Sequence, residues 1–523
     1  VNNWQGAQAL EYHERTKHSY VSVRLGSRRL DWENYPYPFK VYRETEGLSL
    51  PRSFPRPEAP LLGRGSRAPP DINLVAELLF YSAGITRIKR YPGMAVYFRA
   101  ASATGALYET ELYVINGPLE GLEPGVYHFD PGEFGLDVLR RGDHRWALYR
   151  MTGEEELRHV PFFIALSSLA WRNAWKYEAR SYRHWFWDAG TIIANLLAVS
   201  WAEGLEARLL LGFLDDELNR LLGLDGRQEA AIALLALGSG AQAAQEGRLG
   251  QLLGEVLPLS RSSVRYPLIE EAYESSKLRG AEDLGRWREA CASGIQEEAR
   301  EEGIRARISL PEAEPMAAPL WEVILRRGST REFSRRPIGL RQLSSVLRTL
   351  SSPLPCDFLL SSRSLLHVYL IANAVEGLEP GAYYFDEAAR ELGLLRAGGM
   401  RDFAAYLCLE QPLAGDASAV LFFMSDLGRI IAAFGNRGYR ACQLEAGIRA
   451  GLAYLAAYSL GLGATGLTFY DDDVREFFMP HSRDRECMLV VALGLPAYRA
   501  RPGRIYAGAV RHDRSGPIAR SLS

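Results

Sequence analysis

Glu120-Gly121-Leu122-Glu123-Pro124-Gly125 and Glu376-Gly377-Leu378-Glu379-Pro380-Gly381 are one hexapeptide, EGLEPG, written twice 256 residues apart. Each copy runs on into aromatic residues and an aspartate, Tyr127-His128-Phe129-Asp130 and Tyr383-Tyr384-Phe385-Asp386. Moving outward, Arg180-Ser181-Tyr182-Arg183 repeats as Arg437-Gly438-Tyr439-Arg440 at 257 residues. Phe213-Leu214-Asp215-Asp216 repeats as Phe469-Tyr470-Asp471-Asp472, and Leu237-Gly238 as Leu493-Gly494, both at 256. Several pairs in one register signify duplication. The expected organisation is a first domain over 1–245, a charged helical connector over 246–318 and a second domain over 319–523.

Within a copy, Leu112 to Ile115 and Val368 to Ile371 read as strands entering the Pro-Gly turn, and Tyr127 to Phe129 with its twin as the returning strand of a hairpin. A long Ala- and Leu-rich stretch with few charges follows, roughly Trp185 to Glu203 and Cys442 to Leu460. Such a helix is apolar on every side and must be buried. Its natural partner is its own twin, which predicts an intramolecular pseudo-two-fold dimer. Between the copies, the charges of Glu297 to Arg307 predict a solvated connector rather than a third domain.

Composition narrows the function. The 61 Lys plus Arg against 63 Asp plus Glu leave a formal charge of −2, without the basic excess that nucleic acid as a main partner demands. The uncharged run Ala450 to Tyr470 contains four glycines, so it predicts a buried helix ending in a glycine turn, not a membrane span. No charged leader precedes an apolar core at Val1-Asn2-Asn3, which gives a cytoplasmic expectation. Five cysteines with no Cys-x-x-Cys pair argue against a disulfide framework or a Cys-rich zinc site. There is no P-loop, HExxH or GxSxG, and no His pair at metal-ligand spacing, so no metal is expected.

Four segments carry candidate chemistry. Gly461-Leu462-Gly463-Ala464-Thr465-Gly466 fits GxGxxG, yet a helix precedes it and Leu467-Thr468-Phe469-Tyr470 follows, the reverse of a dinucleotide site. It reads instead as a glycine turn whose backbone N–H groups approach a flat ligand, because first-half Gly204-Leu205-Glu206-Ala207-Arg208 lacks the later glycines. Arg326-Arg327-Gly328-Ser329-Thr330-Arg331 concentrates guanidinium and hydroxyl groups suited to a phosphate. First-half Arg64-Gly65-Ser66-Arg67 does not repeat it. Ser102-Ala103-Thr104-Gly105-Ala106-Leu107-Tyr108 is a small-residue loop that lets a planar ring lie against backbone, and Ser361-Ser362-Arg363-Ser364 has lost its glycine. Trp175-Lys176-Tyr177 sets a lysine in aromatic surroundings, where desolvation creates a base. The default alternative is a surface lysine beside a packed tyrosine. The second half has Phe434-Gly435 there.

These residues, with Tyr12-His13-Glu14-Arg15-Thr16-Lys17-His18, resemble the nitroreductase-like flavoproteins, most closely the SagB-type dehydrogenases related to thiazoline and oxazoline oxidases. The resemblance implies an α+β fold, two domains each with a mostly antiparallel sheet flanked by helices, and FMN at their interface. It implies Arg326, Arg327, Ser329 and Arg331 on the FMN phosphate, helped by Arg501 or Arg504. Thr465, Gly466 and Leu467 would lie along the isoalloxazine edge, and Ser102, Gly105 and Ala106 would contact the ring from the other half. Lys176 and Tyr177 would be the catalytic pair, with the base being either. The loop departs from the family pattern in having Ala101 where a proline is usual.

Phosphate segment and glycine turn are intact only in the second half, small-residue loop and Lys-Tyr pair only in the first. The expectation is one FMN per chain, oxidation of azolines in a ribosomal peptide, and a cyclodehydratase-type partner. An NAD(P)H-dependent nitro- or quinone reductase and a non-catalytic scaffold of a peptide-modifying complex are the alternatives.

Overall fold

The computed structural model describes residues 2–26, 29–66, 69–92, 94–295, 300–360 and 363–522. Arg67, Ser361, Ser362 and Glu297 to Ala299, which figure in the segments quoted above, lie outside the described residues.

Each half builds a seven-stranded sheet. In the first the strand order is Gly47–Ser49, Gly135–Arg141, Gly125–Asp130, Thr110–Asn116, Phe162–Leu169, Glu229–Leu237 and Ala207–Leu210. In the second it is Ala306–Ser309, Glu391–Ala397, Gly381–Asp386, His367–Ala372, Ala419–Ser425, Glu486–Gly494 and Gly463–Leu467. Every pairing within both sheets is antiparallel. This is the expected α+β class. EGLEPG is the turn of a hairpin in both halves, joining Asn116 to Gly125 and Ala372 to Gly381. Even the bulges recur, at Val126/Tyr127 and Ala382/Tyr383.

The long helices are Ser181–Ala202 and Arg437–Ser459, so each begins with the Arg-x-Tyr-Arg motif instead of after it. They pack on one another as expected, and the crossing point explains two glycines. A Cβ on Gly190 would stand 2.6 Å from Gly447 Cα, and one on Gly447 would stand 2.5 Å from Trp187 O. No other residue permits that approach.

The junction is bolted by a reciprocal exchange of charge. Arg180 Nη1 and Arg183 Nη1 of the first half donate to Asp471 of the second at 3.0 and 2.6 Å. Arg437 Nη1 and Arg440 Nη1 of the second donate to Asp215 of the first at 2.7 and 2.6 Å. All six side chains are buried. Each aspartate also accepts a backbone N–H, from His18 onto Asp471 at 2.8 Å and from Leu278 onto Asp215 at 2.9 Å. A buried carboxylate with this many donors is held below the usual carboxylate range, and the flanking guanidiniums do the lowering.

Those last two contacts correct the expected connector. Helix Gln8–Arg15 and helix Pro267–Ser275 are twins: Thr16 Oγ1 accepts from Arg183 at 3.1 Å, and Ser276 Oγ accepts from Arg440 at 2.8 Å. Ile269, Ala272 and Tyr273 are buried there, so this part of 246–318 is a strap over the junction and not solvated chain. Strand Ala306–Ser309 joins the edge of the second sheet. The five cysteines are all buried and free. Among the described residues, no helix is long and apolar enough to cross a membrane.

Candidate functional site

Beside the helix crossing, the first half presents a strained loop. Gly105, Ala106 and Tyr108 have φ of 63°, 55° and 52°, a left-handed backbone that only glycine adopts without cost. The loop is held from below by Asp188 of the first long helix, whose carboxylate accepts from Thr104 N at 2.8 Å and Thr104 Oγ1 at 2.8 Å. Thr191 Oγ1 donates to Ser102 O at 2.6 Å. A Cβ on Gly105 would meet Tyr177 Oη at 2.7 Å, so the loop glycine exists to admit the tyrosine. Tyr177 ends helix Ala170–Tyr177, and the ammonium of Lys176 lies 5.1 Å from the centre of its ring.

From the second half comes the arginine segment. Arg327 is 8% exposed and donates Nε to Ala100 O at 2.7 Å and Nη2 to Arg99 O at 2.9 Å. It is therefore a bolt between the halves; two of its three guanidinium nitrogens are already committed, which weakens the phosphate role expected for it. Ser329 Oγ meets Tyr454 Oη at 3.2 Å, and Thr330 Oγ1 meets Tyr458 Oη at 3.3 Å. Arg326 Nε is buried with no partner. Among the described residues neither Arg326 nor Arg331 has a carboxylate at ion-pair distance. The same holds for Arg87, whose Nη1 would stand 3.5 Å from a Cβ on Gly328 and whose Nη2 donates to Arg501 O at 2.8 Å. Arg87 belongs to the hairpin Ile85–Tyr91 and Met94–Arg99, which has no strand counterpart among the described residues of the second half, so comparing the halves gave no signal for it. Arg501 and Arg504 lie in the tail that runs beside this hairpin, with Arg504 N donating to Thr86 O at 2.8 Å.

The glycine segment is partly corrected. Gly461, at φ 73°, is the turn, but Gly463–Leu467 is the edge strand of the sheet. A Cβ on Gly463 would collide with Thr330 Oγ1 at 2.1 Å, so that glycine serves the arginine segment rather than a flat ligand. Ladder alternation sends the N–H groups of Thr465 and Leu467 toward Glu486–Gly494, because Ala464 O and Gly466 N face the free edge, bonded to Thr330 N at 2.9 Å and Tyr454 Oη at 2.7 Å. Of the three residues only Gly466 turns its amide away from the sheet, where it donates to Tyr454 Oη, and the residue itself is exposed.

The two groups of residues meet electrostatically. Packing around the Lys176 ammonium, and secondarily the guanidinium of Arg331, hold its pKa below the usual lysine value. Burial foremost, with the nearby carboxyl groups of Asp188 and Glu109, pushes the Tyr177 phenol up.

The Nitroreductase family profile matches residues 95–239 and 324–495, more than half of the chain and one region in each half. The chain belongs to the nitroreductase family. A crystal structure of a candidate nitroreductase from Anabaena variabilis is 27% identical, with a TM-score of 0.76, over 94% of this chain and 100% of that one. A curated protein of Methanocaldococcus jannaschii, described as a candidate nitroreductase, is 28% identical over 187 residues, 33% of this chain and 90% of its own length. The nitroreductase scaffold thus occurs twice here, and its two copies differ most where the site lies.

At the twin position Asp188 is replaced by Glu445, which accepts from Ser364 Oγ at 2.6 Å and Leu365 N at 2.8 Å. Ile192 is replaced by Arg449, which donates Nε to Glu445 at 3.1 Å and Nη1 to Ser352 O at 2.6 Å. A buried guanidinium fills this second place. Where the second half has Tyr454 and Gly466, the first has Leu197 and Leu209, both buried.

Proposed function

We propose that this nitroreductase-family oxidoreductase is an FMN-dependent, SagB-type dehydrogenase that oxidises azoline rings of a ribosomal peptide to azoles, with one flavin per chain. The observation that carries the reading is a set of guanidiniums without a carboxylate partner, Arg326 and Arg331 on the segment that carries Ser329 and Arg87 reaching Gly328 of that segment, with Arg331 acting on the Lys176–Tyr177 pair of the opposite half. Uncompensated guanidiniums on and beside one short segment with a hydroxyl fit a phosphate dianion. The single flavin is supported by Arg449, which takes up the twin place with its own charge.

FMN, when bound, supplies an acceptor for a hydride. The chain's residues do the rest. Arg326, Arg331, Ser329 and Arg87 anchor the phosphate, and Ser102, Gly105 and Ala106 leave a side-chain-free wall for the ring, with Gly466 facing it from the second half. The Lys-Tyr pair divides by environment. Lys176, its pKa lowered, is the better proton acceptor at neutral pH, and Nζ takes the carbon-bound proton of the substrate ring. Tyr177, its pKa raised, stays protonated and donates a hydrogen bond from Oη. An azoline is formed by loss of water from a peptide, so a cyclodehydratase-type partner supplies the substrate.

The test is the visible spectrum of the purified chain with flavin stoichiometry, followed by incubation with a thiazoline peptide. One flavin per chain and a loss of two mass units are expected; two flavins per chain, or an unchanged peptide, would sink the proposal. The reported relatives are described as nitroreductases, which favours a second reading, a nitroreductase that takes its electrons from NAD(P)H. Rapid bleaching of the flavin by NAD(P)H alone would select it.

A further inference from the structure

Behind Tyr177 lies a polar network without a role so far. The ring of His184 meets the Tyr177 ring edge-on, with centroids 4.6 Å apart. His184 Nδ1 pairs with Asn173 Oδ1 at 2.7 Å, and Asn173 Nδ2 donates to Glu109 Oε2 at 3.2 Å. Glu109 is within side-chain hydrogen-bond reach of Asp188, the carboxylate that holds Thr104. His184, Asn173, Glu109 and Asp188 are at most 3% exposed, and no N–H or O–H group of another residue donates to Glu109 Oε1.

The twin positions show that packing alone does not demand these groups. In the second half Tyr177, Asn173, His184 and Glu109 correspond to Phe434, Ile430, Ala441 and Leu365, all buried and all apolar. The same scaffold closes around either set. Polar groups buried where an apolar set fits equally well cost stability, so they are kept for what they do.

We propose that Glu109 and Asp188 share one proton at neutral pH and act as a positioning pair that holds the Thr104–Ala106 loop against Tyr177. Two carboxylates side by side in a dry interior do not both ionise. The titratable groups facing them are Tyr108, Tyr177 and His184, none of which supplies a cation: burial holds His184 neutral. Of the guanidiniums packed in this region, Arg172 is committed to Glu111 and Tyr108 O, and Arg327 to Arg99 O and Ala100 O, while Arg331 acts on Tyr177. In keeping with the geometry, burial and their mutual repulsion raise the Glu109 pKa, and burial raises that of Asp188. Ionised Asp188 accepts from Thr104, protonated Glu109 donates to Asp188, and the loop stays in its left-handed form. The shared proton does not depend on the reaction catalysed; the role toward Tyr177 rests on the function proposed above.

Infrared difference spectroscopy of the flavin-loaded chain at pH 7 tests the proton directly. A carbonyl stretch of a protonated, buried carboxyl is expected in the wild type and absent in Glu109→Gln. Its absence from the wild type, or its survival in the variant, would overturn the pair. The positioning role is read from turnover against pH. The wild type should lose rate on the alkaline side as the shared proton leaves. Glu109→Gln, a permanently neutral donor, should lack that limb, and Asp188→Asn should lose roughly 10-fold or more at all pH, about the worth of one charge-assisted hydrogen bond. Identical pH profiles in wild type and Glu109→Gln would remove the positioning role. A carboxyl band as expected in a chain that turns over no azoline leaves the pair standing and removes the azoline reading instead.

Discussion

The two halves agree down to their irregularities and part company at one place. Both sheets follow one strand order, share equivalent bulges, and send two arginines across the junction to the other's aspartate. Around the site, however, Lys176, Tyr177, His184, Asn173 and Glu109 face Ala433, Phe434, Ala441, Ile430 and Leu365 at the twin positions, while Leu197 and Leu209 face Tyr454 and Gly466. What holds the halves together stays symmetric, because each half's helix must dock on the other's. What does chemistry is free to be lost from one place and kept in the other.

Four experiments probe that contrast. The symmetric part should break equally from either side: Asp215→Ala and Asp471→Ala each strand two buried guanidiniums, and each should cost roughly 3–5 kcal/mol. Urea unfolding midpoints check this, and a large difference between the two would show that the bolts are not equivalent. Next, Lys176→Ala should lower azoline turnover by about 10²-fold or more with flavin still bound, the usual worth of a positioned base. Steady-state rates on flavin-loaded protein decide it.

The straps offer a comparison in pH. Burial, foremost, lowers the pKa of His13 to about 4, so the folded state resists a proton that the unfolded chain accepts below about 6.5. The unfolded state therefore binds more protons between these values, and stability should fall as pH drops through that window, by up to roughly 3 kcal/mol. The twin position holds Tyr273, which takes up no proton there. Hydrogen exchange should accordingly show Gln8–Arg15 loosening before Pro267–Ser275 as the solution is acidified; simultaneous loosening would refute the assignment. The smallest effect is expected for Arg331→Ala, which should weaken FMN binding by about 2 kcal/mol, one charged hydrogen bond, read by flavin titration.

Much of this was legible in the residues. The repeated EGLEPG, Arg-x-Tyr-Arg and Phe-x-Asp-Asp motifs announce the duplication, and the two hairpins and twin long helices follow from it. That the second and third motifs are each other's counter-ions was not legible, since Arg437 and Asp215 stand 222 residues apart and nothing in spacing names a partner. The strap was misjudged because the apolar positions of Pro267–Ser275 sit in a charged stretch. The glycines of 461–466 were read as one turn, yet they do three jobs: Gly461 turns the chain, Gly463 makes room for Thr330, and Gly466 leaves an edge open. The Lys-Tyr pair and the arginine segment could be picked out by comparing copies. The network behind Tyr177 could not, because Glu109 stands 64 residues before Asn173 and only the fold brings it to the two helices that carry Asn173, His184 and Asp188.

The single covalent thread through both halves changes how this assembly answers to mass action. A site built between two separate subunits empties when dilution outpaces association, and its melting temperature rises with protein concentration. Here the second half is always present at the effective concentration set by the chain itself. The site should stay assembled at any dilution, and the unfolding midpoint should not move with the amount of protein in the tube.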